Sequence, residues 1–135
     1  MASILKVDEL QGITAAGDIT VTSEGGAATQ SLQQGLAKAW CFFDGTAGSI
    51  SFSDSFNGSS LSDVATGQYD MNFSSSMANS TYPASFSGLD RNDNRATSPQ
   101  SSSSCRMLNR MGIDGSAASD NDDSKCQFMT HGDLA

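Results

Sequence analysis

Residues 38–82, KAWCFFDGTAGSISFSDSFNGSSLSDVATGQYDMNFSSSMANSTY, consist of short alternating apolar segments separated by Gly, Asn, Asp and Ser. The alternation is clearest where Tyr69, Met71 and Phe73 fall on one face and the polar residues between them fall on the other. A period of two residues is typical of a strand with one buried and one solvated side. The stretch therefore predicts consecutive antiparallel strands.

The whole chain favours an all-β fold, an antiparallel β-sandwich or jelly-roll-like domain. Asp44-Gly45 and Asn57-Gly58 tolerate positive φ, so a hairpin connection is expected at each. The polar residues 89–104, which include Pro99 and four serines in a row, are expected to form an exposed, mobile loop. The expected strands lie at residues 39–43, 49–54, 61–64, 68–73, 83–87, 105–113 and 125–130.

The start of the chain differs from the rest, which suggests an arm at residues 1–35 before a sandwich domain at residues 36–135. Ile4, Leu5 and Val7 form a short apolar patch suited to docking, and residues 18–22 alternate as a strand. Leu32, Leu36 and Trp40 recur every four positions, which predicts a helix over residues 29–40. Leu32 and Leu36 could then pack against other copies in an oligomer; alternatively, this segment is a linker that covers one end of the sheet.

Composition limits the function classes. The 135 residues carry a formal charge of −8, which would repel a phosphate backbone, so nucleic-acid binding is not expected. The first residues contain Lys6, Asp8 and Glu9 where a signal peptide would be apolar, and no segment approaches the roughly 20 apolar residues of a membrane helix. We expect a protein made in the cytoplasm without membrane insertion.

No catalytic arrangement is recognisable in the sequence. The single histidine, His131, lies four residues from the C-terminal end of the sequence, and the nucleophile elbow, phosphate-binding loop and zinc-protease motifs are missing. We therefore predict a protein that is not an enzyme and needs no cofactor.

The best metal candidates are four aspartates in one acidic segment, since calcium is held by several oxygen ligands on a flexible loop. Their spacing does not match the helical calcium loop, so the sequence favours a solvated acidic hairpin tip and predicts no metal site. The three cysteines have no CxxC spacing and lie in strand-like runs, which favours buried thiols over an intersubunit disulfide or a metal site. The aspartates are Asp114, Asp120, Asp122 and Asp123, and the cysteines are Cys41, Cys105 and Cys126.

The chain contains, in order, the five segments MASILKV, KAWCFFDGT, DSFNGSSLSD, TGQYDMNFSSSM and CQFMTHGD. The order of these segments resembles that in small virion proteins and tail-fibre end modules of tailed bacteriophages, especially those from marine bacteria. The likeness spans nearly the whole chain and is strongest at residues 38–82. The resemblance implies a compact, acidic structural or fibre-like component with no catalytic residues to carry over.

That resemblance leads to a predicted virion protein, a short tail-fibre-like or adsorption appendage that is a homotrimer docked on other virion proteins by its arm. A host surface glycan or protein would be contacted by a receptor-facing loop consisting of Asp90, Arg91, Asn92, Asp93, Asn94 and Arg95. A capsid decoration, cement or head-fibre protein is the alternative within this class.

A carbohydrate-binding module is the alternative from another class. Trp40, Tyr69 or Tyr82 would then stack on a sugar ring. Because Trp40 lies in the all-apolar run 39–43, the sequence favours placing it in the core.

Overall fold

The computed structural model describes residues 4–13, 15, 19–22, 25–88, 95–111 and 119–135. The chain divides into two compact units, Met1–Leu36 and Ala37–Ala135.

In the first unit, β1 (Thr20–Thr22) pairs antiparallel with β2 (Thr29–Ser31), and the four-residue helix α1 (Leu32–Gly35) follows. The Ser31 hydroxyl caps α1 by accepting a hydrogen bond from the Gln34 amide at 3.4 Å. The predicted helix over residues 29–40 is wrong, because Leu36 already has an extended backbone and a strand begins at Ala39. Strand pairing on both sides of residues 39–43 overrides the four-residue apolar spacing.

The second unit is built from antiparallel strands in two four-stranded sheets, which confirms the predicted all-β, sandwich-like class. One sheet has the order β4-β3-β12-β7 and is called the β3 sheet; the other has the order β5-β6-β9-β8 and is called the β6 sheet. The short strands β10 and β11 pair with each other. The strands are β3 (Ala39–Phe43), β4 (Phe52–Phe56), β5 (Gly58–Ala65), β6 (Gln68–Phe73), β7 (Ala84–Ser87), β8 (Arg95–Gln100), β9 (Ser104–Leu108), β10 (Arg110–Met111), β11 (Ser119–Asp120) and β12 (Cys126–Thr130).

The core lies between the inward faces of the two sheets. Tyr69, Met71 and Phe73 are buried while Gln68, Asp70 and Asn72 are partly exposed, which confirms the predicted alternation in β6. Phe43 and Tyr69 meet edge to face across the core, with ring centroids 5.0 Å apart. The other buried apolar residues of the cluster are Ala39, Cys41, Met77, Tyr82, Phe86, Cys105, Met107, Cys126 and Phe128.

The three cysteines are buried free thiols, as predicted. Burial raises the pKa of Cys41 and of Cys126 to about 12, and that of Cys105 to about 11. The side chains therefore pack as small apolar groups within the core.

Two expected loops and turns differ from the structure. Residues 89–104 do not form one mobile loop, because residues 95–100 are the strand β8 and pair with β9 at the edge of the β6 sheet; residues 89–94 lie outside the described residues. Asn57-Gly58 does not close a hairpin, because it joins β4 in one sheet to β5 in the other. Asp44-Gly45 does begin a hairpin connection, between the paired strands β3 and β4.

Some strand ends also differ from expectation. The strand expected at residues 49–54 is shifted to Phe52–Phe56, and the one expected at residues 105–113 stops at Leu108. Asn109 separates β9 from β10. Its backbone N–H donates a hydrogen bond to the carbonyl of Gly67 at 2.7 Å. The chain leaves the β6 sheet at this point and starts the β10–β11 pair.

Candidate functional surface

The outward side of the β3 sheet carries a row of apolar side chains. Within β3, Ala39, Cys41 and Phe43 are buried, whereas Trp40 and Phe42 between them are partly exposed. Successive side chains of a strand point to opposite faces, so Trp40 and Phe42 lie on the outer face of the sheet.

The strand register places polar and apolar neighbours beside these two rings. Trp40 lies opposite Phe56 of β4 and Met129 of β12, which are 50% and 44% exposed. Directly opposed residues share a face, so the three side chains form one row across three strands. A second row consists of Phe42, flanked by Asp54 and Gln127 on the neighbouring strands.

Strand β7 completes this surface with hydroxyl groups. Ser85 lies opposite Met129, and Ser87 lies opposite Gln127. A groove of about 490 Å³ runs over β3, β12 and β7 and is lined by residues of all three strands. We call this surface the outer aromatic face; its residues are Trp40, Phe42, Asp54, Phe56, Ser85, Ser87, Gln127 and Met129.

The expected core position of Trp40 is wrong. A run of five apolar residues suggested complete burial, but a strand in an outer sheet of a sandwich can turn only alternate residues inward. Ala39, Cys41 and Phe43 take the inward positions, so the largest ring of the chain is left on the surface.

Within its strands the outer aromatic face has no positively charged side chain, and the exposed Lys125 directly precedes β12. The four strands of the β3 sheet contain one acidic side chain, that of Asp54, and neither Lys nor Arg. By contrast, the β6 sheet carries the bidentate pair of Arg106 and Asp70, with nitrogen–oxygen distances of 2.7 and 2.8 Å. The two sheets therefore differ in the ligands that they could attract.

The three described aspartates of the acidic segment accept hydrogen bonds from other groups of the protein. Asp120 accepts hydrogen bonds from Gln68 at 3.0 Å and Arg110 at 2.9 Å, and these two contacts lower its pKa. Asp123 is 3% exposed, and its side chain accepts a hydrogen bond from the Lys125 backbone amide at 3.0 Å. The expected solvated tip is therefore wrong for Asp123.

Asp122 holds the turn between β5 and β6. Its Oδ1 accepts the Gly67 amide at 2.7 Å and the Tyr69 hydroxyl at 2.8 Å. Burial raises the pKa of Tyr69 above its usual range, and the hydrogen bond to Asp122 raises it further, so the phenol stays protonated and donates. Within the described residues no group of three His, Cys, Asp or Glu side chains is placed to hold a metal ion, and Asp114 lies outside those residues.

The predicted docking residues lie on the surface of the first unit. Ile4, Leu5 and Val7 are 78%, 76% and 51% exposed and belong to neither a helix nor a strand. Leu32, at the start of α1, is partly exposed, and Leu36 just after the helix is 54% exposed.

Arg95 is the one residue of the predicted receptor-facing loop that the structure describes. Asp90, Arg91, Asn92, Asp93 and Asn94 lie outside the described residues. Arg95 is the first residue of β8, and its backbone is paired with Leu108.

No protein-family model, curated protein or solved structure matches this chain. No helix in the described part of the chain is long and apolar enough to cross a membrane.

Proposed function

We propose that this chain is a structural component of a bacteriophage particle, a short tail-fibre-like or adsorption appendage rather than an enzyme. It would be made in the host cytoplasm and docked on other virion proteins by its N-terminal arm, residues 1–35. The observation that carries the proposal is the exposure of Ile4, Leu5 and Val7 in a segment without regular structure.

The arm carries further exposed apolar side chains beside these three. Leu10 and Ile13 are also exposed, at 55% and 105%. Burying one large aliphatic side chain contributes about 1.5–3 kcal/mol, so a partner that covers several of them would gain substantial binding free energy. Exposed apolar side chains gathered in one short segment provide the kind of surface that interaction sites use.

Assembly as a homotrimer is part of the same proposal. The predicted long helix is missing, so trimer contacts would come from the exposed Leu36 and the partly exposed Leu32 at the two ends of one helical turn. Light scattering of the purified chain should give three times the mass of 14.0 kDa; a monomer mass at all concentrations would contradict the trimer.

Capsid decoration is the alternative position on the particle. The same docking chemistry would serve a cement or head-fibre protein, and the number of copies per particle separates the two. Hundreds of copies would indicate the capsid lattice, whereas a few tens or fewer would indicate a tail or a vertex.

The docking proposal predicts that polar substitutions in the arm prevent incorporation. The triple variant Ile4→Ser, Leu5→Ser, Val7→Ser removes the apolar contact but should leave folding intact, since all three side chains are exposed. We expect the number of copies per particle to fall at least about tenfold, measured by quantitative mass spectrometry of purified virions.

A matched control is Val64→Ser, which changes a 43% exposed apolar residue on β5 of the sandwich. It should be incorporated at the wild-type level. Undiminished incorporation of the triple arm variant would disprove docking through these residues.

A further inference from the structure

We propose that the outer aromatic face is a binding site for a neutral oligosaccharide. The proposal rests on the proposed attachment role and deepens it, because it assigns recognition of a host glycan to the β3 sheet.

The first argument is the shape and chemistry of the apolar row. Trp40 and Phe42 are two outward positions on one strand, so they are about 6.6 Å apart along β3. A pyranose ring has an apolar face of C–H groups that packs on an aromatic ring, and neighbouring rings of an oligosaccharide can use neighbouring aromatics. Phe56 and Met129 extend this platform across the sheet.

The second argument is the placement of hydrogen-bonding groups around the rings. Gln127 and Asp54 lie on either side of Phe42, and Ser85 and Ser87 border the groove along β7. Amide, carboxylate and hydroxyl groups next to an apolar platform match a ligand that has hydroxyls around an apolar face. Asp54, Ser85, Ser87 and Gln127 are all exposed.

The third argument concerns charge. The β3 sheet contains Asp54 and no Lys or Arg, within a chain of net charge −8. An acidic glycan or a nucleic acid would be repelled by this surface. Although the exposed Lys125 directly precedes β12, the strands themselves favour an uncharged sugar.

The fourth argument is size. Four strands spaced about 4.8 Å apart and about five residues long at 3.3 Å each give a face on the order of 300 Å². A standard protein interface covers about 800 Å² per partner. The outer aromatic face is too small to carry such an interface alone, whereas a short oligosaccharide would fill it.

The test uses the full chain and its intrinsic fluorescence. Trp40 is the only tryptophan, so a sugar that stacks on it should change the emission directly. An array of neutral and sialylated oligosaccharides identifies bound sugars, and a fluorescence titration with the strongest neutral binder gives the affinity. We expect neutral sugars to bind and sialylated ones to bind more weakly.

Two variants test the site. Trp40→Ala should lower the affinity at least about tenfold, measured on the array, because a central aromatic anchor contributes most of the binding energy of a small site. Gln127→Ala removes one exposed amide without touching the core and should lower the affinity about three- to tenfold. Trp40→Phe, which keeps a ring and the fold, should retain part of the binding. Val64→Ala, on the other sheet, should bind as the wild type does.

The proposal is overturned if no neutral sugar on the array is bound, or if the bound sugar is unaffected by both Trp40→Ala and Gln127→Ala in folded protein. It is also overturned if the face captures only a host protein. Virion docking is tested separately: Trp40→Ala should still be incorporated into particles, and the triple arm variant should still bind the sugar. Loss of one property in its own variant alone supports the corresponding proposal, whereas a variant that keeps its own property identifies which of the two proposals is wrong.

Discussion

At the scale of single residues, one carboxylate secures a tight turn and a core aromatic together. Asp122 Oδ1 accepts both the Gly67 amide and the Tyr69 hydroxyl. Gly67 has φ +66°, and a Cβ there would collide with the backbone of Asn109 and Asn121, so the turn requires glycine. The acidic segment is thus part of what positions β6.

We predict that Asp122→Ala lowers the free energy of unfolding by about 1–3 kcal/mol, because the Gly67 amide and the buried Tyr69 hydroxyl lose their acceptor. Urea denaturation followed by circular dichroism measures the change. Asp122→Asn keeps an oxygen at the same place and should cost less.

Asp63→Ala is the matched control for this substitution, because Asp63 is an exposed aspartate on β5. Its effect should stay within about 0.5 kcal/mol. Equal effects of Asp122→Ala and Asp63→Ala would show that the Asp122 contacts contribute nothing to stability.

Trp40 illustrates what the sequence could and could not reveal about the candidate surface. The alternation that correctly placed Tyr69, Met71 and Phe73 inside also applies to residues 39–43, where it would have pointed Trp40 and Phe42 outward. The signal was hidden because apolar residues occupy both faces of that strand. The neighbours of Trp40 could not be predicted, since Met129 is brought opposite it by pairing between strands nearly ninety positions apart.

At the scale of elements, the passage from β4 to β5 is the corner where the chain changes sheet. Asn57 adopts φ 57°, and its side chain bonds the carbonyls of Lys38 and Ser75 and the Ser75 amide. Gly58 follows at a place where the Phe52 ring leaves no room for a Cβ. The sequence signalled a turn here but not which sheet the next strand would join.

We predict that Gly58→Ala lowers the free energy of unfolding by about 1–3 kcal/mol, because the added methyl group would lie 2.7 Å from the Phe52 ring and force the corner to shift. Thermal and urea unfolding measure the change. Gly48→Ala is the control, since a Cβ there meets nothing within 4 Å. A Gly58→Ala protein as stable as the wild type would mean that the corner repacks freely.

Strand β8 and helix α1 show why some elements were predicted incorrectly: β8 was expected to be a loop, and α1 was expected to be longer. The sequence of β8, RATSPQ, has no apolar alternation, yet an edge strand needs pairing on one side only and tolerates proline. The apolar spacing of residues 32–40 predicted a helix, but pairing of β3 with two neighbours prevailed beyond the first turn. Local patterns therefore fixed the fold class, while long-range pairing decided these elements.

At the scale of the whole molecule, the three thiols report on the integrity of the sandwich. Cys41, Cys105 and Cys126 are at most 2% exposed, and their raised pKa values keep them protonated at neutral pH. A thiol reagent can reach them only when the two sheets separate.

We predict that none of the three thiols reacts with a disulfide reagent such as Ellman's reagent at about pH 8 within the time in which all three react in guanidinium. The absorbance of the released thiolate counts the reacted groups. Rapid labelling of any one in the native protein would contradict the buried packing of its strand, and Asp122→Ala should speed labelling by destabilising the fold.

The same burial of sulfur has a consequence for where the protein can function. With Cys41, Cys105 and Cys126 shielded and unpaired, the fold neither depends on oxidative cross-linking nor exposes a thiolate to oxidants. A chain folded in a reducing compartment would therefore keep the same covalent structure after release into an oxygenated medium.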